Sequence, residues 1–231
     1  MSSGKNDIRI MFNGISHRYD FLNHFLSLGT DHRWRKKLVK IVSEKNPRRI
    51  LDVATGTGDL AIALADLKPE LITGIDIAEN MLAIARKKVA AARLEDIISM
   101  KEGDAEHIPF PDDAFDAVTV AFGVRNFENL LDGLKEMRRV LKPGAILVVL
   151  EFSHPGKFPV KQLYTYYSRF LIPLFGRMIS GNDEAYRYLP DSIRHFPSGK
   201  DFIEILKEAG LKNNFLIPLS SGISTIYISE K

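Results

Sequence analysis

The 231-residue chain contains no cysteine. That absence excludes disulfides, zinc ribbons, iron–sulfur clusters and a thiol nucleophile, and a reducing cytosol suits a chain built without thiols. Charge of one sign is equally scarce. The 32 basic and 29 acidic residues leave a formal net charge of +3, too small an excess for the dominant basic stripe of a nucleic-acid-binding protein. Long apolar runs are missing as well: the longest, Ala145 to Leu150, falls far short of the roughly 20 residues that cross a bilayer. The opening residues, Met1 to Asp7, lack the apolar stretch of a signal peptide. Neither solenoid repeats nor low-complexity segments occur. We therefore expect a soluble, cytoplasmic protein with no nucleic-acid partner, and its 45% hydrophobic content suffices at this length for a full core.

What the chain does contain is an alternation of two periodicities. Arg49 to Ala54, Leu71 to Ile77, Ile97 to Glu102, Phe115 to Phe122 and Ala145 to Phe152 read as short, nearly continuous apolar strands. Between them, Gly58 to Leu67, Ala78 to Leu94 and Asn129 to Leu141 carry apolar residues at helical spacing, the last closed by Lys142-Pro143-Gly144. Strands separated by helices of this length imply βαβ units and a parallel sheet covered on both faces. Asp201 to Ala209 reads as one more helix, and Asn214 to Leu219 with Ile223 to Ser229 as an antiparallel strand pair. The expected fold is a single α/β, Rossmann-like domain with a seven-stranded, mostly parallel sheet. Within it we expect an N-terminal helical cap (1–45), a ligand-binding core (46–153), a helical insertion forming a lid (154–198), and a closing helix and strand pair (199–231).

The first chemical constellation is Asp52-Val53-Ala54-Thr55-Gly56-Thr57-Gly58-Asp59, between a predicted strand and a predicted helix. In open α/β sheets ligands bind at the carboxyl ends of the strands, and glycines let the backbone approach them. Gly56-x-Gly58-x-x-Ala61 satisfies the loose dinucleotide fingerprint, which leaves a nicotinamide-dependent oxidoreductase as one reading. Asp52 opposes it, because a carboxylate at the strand end repels a pyrophosphate and suits a cationic ligand. Asp76, ending the next strand, is placed to accept both hydroxyls of a ribose, and Asp104 follows the third strand. Three carboxylates around a nucleoside pocket fit S-adenosyl-L-methionine, which carries a sulfonium and an amino group and no phosphate.

The segments Asp52 to Gly58, Gly74 to Asp76, Gly103 to Ala105 and Leu141 to Gly144 resemble successive motifs of class I S-adenosylmethionine methyltransferases. Three longer stretches, Tyr19 to Ser27 with Trp34, Ala121 to Phe127, and Arg139 to Ser153, resemble the ubiquinone/menaquinone biosynthesis C-methyltransferase family. The likeness runs from about Met11 to the end of the chain and includes Tyr188 to Pro197. The resemblance implies that Thr57, Asp76, Asp104 and Ala105 contact the cofactor and that Gly56 and Gly58 shape the loop beneath it. It also implies a prenylated quinol substrate methylated on a ring carbon, demethylmenaquinol before the ubiquinone-precursor benzoquinol. A non-catalytic scaffold of the same fold is the remaining alternative.

Methyl transfer is an in-line displacement that needs the acceptor carbon about 3 Å from the methyl. A ring carbon becomes nucleophilic when the neighbouring hydroxyl, with an ordinary pKa of about 10, loses its proton. Arg125 is the expected stabiliser of that oxyanion, because a guanidinium keeps its proton and makes a poor base. Asn126 is expected to position the hydroxyl or a water, and Tyr19 to complete the relay. Among the six histidines, His17, His24 and His32 lack a metal-binding motif, so no metal is expected; His154 and His195 are candidate bases. The aromatic stretch Phe158 to Ile179, with Lys161, Arg169 and Arg177 interspersed, is expected to line a pocket for the isoprenoid tail and to meet the inner face of a membrane. A helix packed on the sheet, with a homodimer contact, is the alternative for that stretch.

Overall fold

The aliphatic and β-branched runs become strands because a sheet buried on both faces accepts apolar side chains at every position. The computed structural model describes residues 4–27, 29–153, 155, 162, 188 and 191–231. Its strands are β1 (Arg49–Val53), β2 (Leu71–Asp76), β3 (Ile98–Glu102), β4 (Phe115–Ala121), β5 (Leu141–Phe152), β6 (Lys212–Leu219) and β7 (Ser224–Glu230). They form one seven-stranded sheet in the order β3-β2-β1-β4-β5-β7-β6. Strands β1 to β5 are mutually parallel, and β7 runs antiparallel to both β5 and β6. This is the expected Rossmann-like class with its antiparallel C-terminal pair.

Around the sheet lie α1 (Lys5–Leu26), α2 (Asp31–Ser43), α3 (Asp59–Leu64), α4 (Glu79–Ala91), α5 (Leu130–Val140) and α6 (Lys200–Glu208). Alternation along β5 distributes the core. Ile146, Val148, Leu150 and Phe152 face the helices α1 to α4, while Leu147 and Val149 face α5 and α6. Trp34, Leu38 and Val42, four residues apart, form the buried stripe of α2, and full burial of such a side chain contributes about 1.5–3 kcal/mol. Helices α1 and α2 dock on the face that α3 and α4 also cover.

Two boundaries differ from expectation. The helix after β1 ends at Leu64 and tightens into a 3₁₀ turn over 65–67. Lys142-Pro143-Gly144 does follow the end of α5 at Val140, but the same residues lie inside β5, which begins at Leu141 rather than at the expected Ala145. Pairing jumps there from Phe115↔Leu141 to Ala117↔Ile146, and a bulge of that kind accommodates a proline and a left-handed glycine.

Most of the expected lid lies outside the described residues: 154–190, apart from Pro155, Gln162 and Tyr188. The aromatic stretch 158–179, except Gln162, and His154 fall there, as do Leu28 and the side chains of Phe21, Leu22, Phe25 and Leu26. Among the described residues no helix is long and apolar enough to cross a membrane.

Candidate active site

From β1 the chain steps outward to β2 and β3, then returns to β4 on the other side of β1. The carboxyl ends of β1 and β4 therefore bracket the topological switch point, where open α/β sheets bind ligands. Both strands leave it through left-handed turns at non-glycine residues, Ala54 (φ 51) and Phe122 (φ 60), conformations that cost on the order of 1–3 kcal/mol each. Gly56 (φ 56) and Gly58 (φ 83) continue the first turn without a Cβ to oppose it.

A cavity opens there, between the sheet edge and helix α1. Its floor is Gly56, Asp76, Gly103, Asp104 and Ala105, from the ends of β1 to β3, and its far wall is Asn126 and Phe127. Helix α1 supplies the roof through Lys5, Ile8, Phe12 and Tyr19. Asp76 accepts hydrogen bonds from the backbone N–H of Gly56 (2.8 Å) and Ala78 (2.9 Å). Burial raises its carboxyl above the ordinary range against the pull of those donors. Asp104 is held below that range although it is partly buried, because Lys5 reaches it at 2.7 Å.

Beside this cavity, and sharing Tyr19 and Ala54 as walls, is a smaller one. Asp52 lies here rather than in the nucleoside-sized cavity. It is almost fully buried and accepts hydroxyl bonds from Thr55 (2.6 Å) and Thr119 (2.7 Å). Burial outweighs those bonds and pushes its pKa up to about 6. Thr57 also lines this second space, donating to Asp20 at 2.5 Å. An alternating chain of charge ties the helices together: Asp20 to Lys88 to Asp59, and Asp59 to Arg35 to Asp31. Of the charged groups that line this space, Asp52 and Asp59 face Arg35 alone, so the wall is net acidic and favours a cationic ligand.

At the other end the sequence reading found Arg125 but missed its partner. The side chains of Arg125 and Glu151 are both completely buried, with Nη1 to Oε1 at 2.6 Å. Arg125 Nη1 also donates to the Phe122 carbonyl at 2.5 Å, and its guanidinium stacks on Phe152. Burial works against the charge on Arg125, yet the Glu151 carboxylate more than offsets it and keeps the guanidinium protonated. The Nε and Nη2 atoms of Arg125 have no partner among the described residues. Two phenols face this guanidinium, Tyr19 and Tyr188, each raised by burial and pulled back by the arginine charge. The Tyr188 hydroxyl donates to Asn126 Oδ1 at 3.0 Å. Glu151 had a sequence signal, a carboxylate ending an otherwise apolar strand.

The structure thus gathers Gly56, Asp76, Asp104, Ala105, Tyr19 and Asn126 around the large cavity, and Asp52 and Thr57 around the small one. Arg125 lies behind Asn126 rather than in the cavity wall. Gly58 lines neither cavity; it packs against Met100 and Ala85. His195 is exposed and bonded to the Asp191 carbonyl, away from both. His24, Asp31 and His32 converge within 4.8 Å, a grouping the histidine spacing did not announce. Asp31 is already committed there to Ser27 and Arg35.

A nucleoside diol suits Asp76, and a sulfonium with an ammonium suits the acidic wall, so the residues present fit S-adenosylmethionine. Fold and site together define a Rossmann-like methyltransferase. The likeness to a SAM-dependent methyltransferase of Thermotoga maritima (TM-score 0.67, 20% identity, covering 97% of this chain and 99% of that one) agrees with the fold. The sequence profile of the ubiE/COQ5 methyltransferase family matches residues 1–231, and the chain belongs to that family. It is 45% identical over 222 residues to the demethylmenaquinone methyltransferase of Bacteroides fragilis, covering 96% of this chain and 91% of that protein. It is also 45% identical over 226 residues to the ubiquinone/menaquinone biosynthesis C-methyltransferase UbiE of Geobacter sulfurreducens, covering 97% and 88%.

Proposed function

We propose that this enzyme methylates a ring carbon of a prenylated quinol, with demethylmenaquinol as the acceptor. Membership of the family and the names of its relatives support the substrate class. The observation that carries the mechanism is the buried Arg125 with two nitrogens, Nε and Nη2, unpartnered among the described residues, flanked by two tyrosyl hydroxyls. A site offering donors from a fixed cation is complementary to a developing oxyanion.

S-adenosylmethionine, when bound, supplies an electrophilic methyl group. Asp76 would hold its ribose, and Asp104 and Ala105 its base. Gly56 and Gly58 shape the turn beneath it, and Asp52 and Thr57 lie toward its charged end. Asn126 and Tyr19 orient the ring hydroxyl of the acceptor. Arg125 favours transfer of that proton to water by stabilising the oxyanion, which sends charge to the ortho carbon, and the hydrogen on that carbon leaves as a proton to water when the ring regains aromaticity. Glu151 fixes the guanidinium so that no reorganisation is needed when the charge develops. The insertion, 154–198, with its aromatic stretch, is the part of the chain we assign to the isoprenoid tail and to peripheral contact with the inner membrane face.

The deciding experiment measures labelled methyl transfer to demethylmenaquinol and to the benzoquinol precursor in parallel, alongside equilibrium binding of S-adenosylhomocysteine and NADH. Transfer to demethylmenaquinol is expected. Preference for the benzoquinol replaces the acceptor. S-adenosylhomocysteine binding without transfer to either makes the chain a scaffold, and binding of NADH in its place makes it an oxidoreductase.

A further inference from the structure

We infer that Asn23 of α1 and Arg35 of α2 form the receptor for the zwitterionic amino-acid end of the methyl donor, an inference that rests on the donor reading above. The small cavity beside the nucleoside-sized one is lined by Tyr19, Asn23, Arg35, Asp52, Thr57 and Asp59, among others. Arg35 is 6% exposed and Asn23 2%. The guanidinium of Arg35 spends Nη1 on Asp31 at 2.5 Å and sets Nη2 3.5 Å from Asp59, but its Nε has no partner among the described residues. Asn23 Oδ1 has none either. Buried polar atoms without partners are rare in native folds, and each one asks what it is waiting for.

The chemistry of this pair is informative because the two orphans are of opposite kind. Arg35 Nε can only donate, and Asn23 Oδ1 can only accept. A plain anion satisfies the first and leaves the second bare, and a plain cation does the reverse. An α-amino acid satisfies both at once: its carboxylate accepts from Arg35, and its ammonium donates to Asn23 with Asp52 close by. The other two unpartnered atoms, Nε and Nη2 of Arg125, are both donors, as an oxyanion requires. The shared walls Tyr19 and Ala54 put this receptor next to the cavity that Asp76 marks for the nucleoside. The cap formed by α1 and α2 is then a component of the donor site and not only a cover.

The test compares two nucleosides that differ only at this end. S-adenosylhomocysteine carries the amino-acid group, whereas 5′-methylthioadenosine has the same adenosine thioether without it. Equilibrium binding of each to the full chain is measured for the wild type, for Asn23→Ala and for Arg35→Lys, which keeps a cation against Asp31 but removes the Nε donor. We expect each variant to weaken S-adenosylhomocysteine at least tenfold and to leave methylthioadenosine within twofold. Equal weakening of both ligands assigns Arg35 and Asn23 to the fold and overturns the inference, as does no weakening of either. Should Arg35→Lys fail to fold, Asn23→Ala alone decides by the same criterion. A wild-type chain that binds neither nucleoside sinks the donor reading itself, a result distinct from the other two.

Discussion

The two ends of the large cavity are built from different materials. At the nucleoside end the backbone does the holding: Asp76 is fixed by the N–H groups of Gly56 and Ala78, and a turn of positive-φ residues sets the floor. Behind Asn126 at the other end a side-chain pair does it, Arg125 on Glu151. An end made of backbone follows from the fold and survives most side-chain changes around it. An end made of a buried ion pair stands or falls as a unit, because removing one partner strands the other's charge.

The harshest way to break this contrast is at Glu151. Glu151→Ala leaves a buried guanidinium unpaired, and we expect a loss of about 3–5 kcal/mol in unfolding free energy, read from denaturant melts and checked by a double-mutant cycle with Arg125. Next comes Arg125→Lys, which keeps a charge but loses the planar fork. Turnover should fall about 100- to 1,000-fold while S-adenosylhomocysteine affinity stays within about twofold. Asp76→Ala should do the opposite. Losing a charged acceptor for the ribose costs about 2–3 kcal/mol, so affinity should drop roughly 30- to 160-fold by calorimetry. If Arg125→Lys and Asp76→Ala weaken cofactor equally, the two ends are not separate in function.

Acid sharpens the comparison further. The carboxyl of Asp52 titrates at about 6 in the fold against an ordinary value of 3.8. It therefore adds stability below the ordinary range, and that contribution is gone once pH exceeds about 6. Only its ionised form attracts an ammonium, so S-adenosylhomocysteine affinity should climb about tenfold between pH 5 and pH 7. Burial raises Asp76 too; Asp52→Asn separates them by flattening whatever part of the rise belongs to Asp52. The mildest change is Lys5→Ala. Its contact with Asp104 is about a third exposed on the lysine side, so stability should move by about 0.5 kcal/mol or less.

The sheet was largely legible because its strands are uninterrupted apolar runs and its helices carry a different period. Asp76 and Asp104 were legible for a related reason: an acid at the end of a buried strand has only the ligand edge to face. Glu151 carried the same signal and still went unread, because its meaning depends on β5 pairing with β4. The register Ala121↔Leu150 brings the carboxylate beside an arginine 26 residues away in sequence. Asn23 and Arg35 were harder still. They sit on amphipathic helices whose pattern announces only that something is covered, and the side-chain directions that aim them inward are set by docking. Pro143-Gly144 marked the end of α5 correctly, yet the start of β5 was placed too late, because a stop signal for a helix is also a tolerated bulge in a strand.

The chain has a single tryptophan, and its position makes the protein its own spectroscopic gauge. Trp34 donates its indole N–H to Ser220 at 3.0 Å and touches the rings of Phe122 and Phe152 at centroid distances of 6.2 and 6.0 Å. Phe122 borders the large cavity, and Phe152 stacks on the Arg125 guanidinium. One indole therefore reports on the seating of the N-terminal helices and on both compartments behind them, with no label to attach and no second tryptophan to subtract.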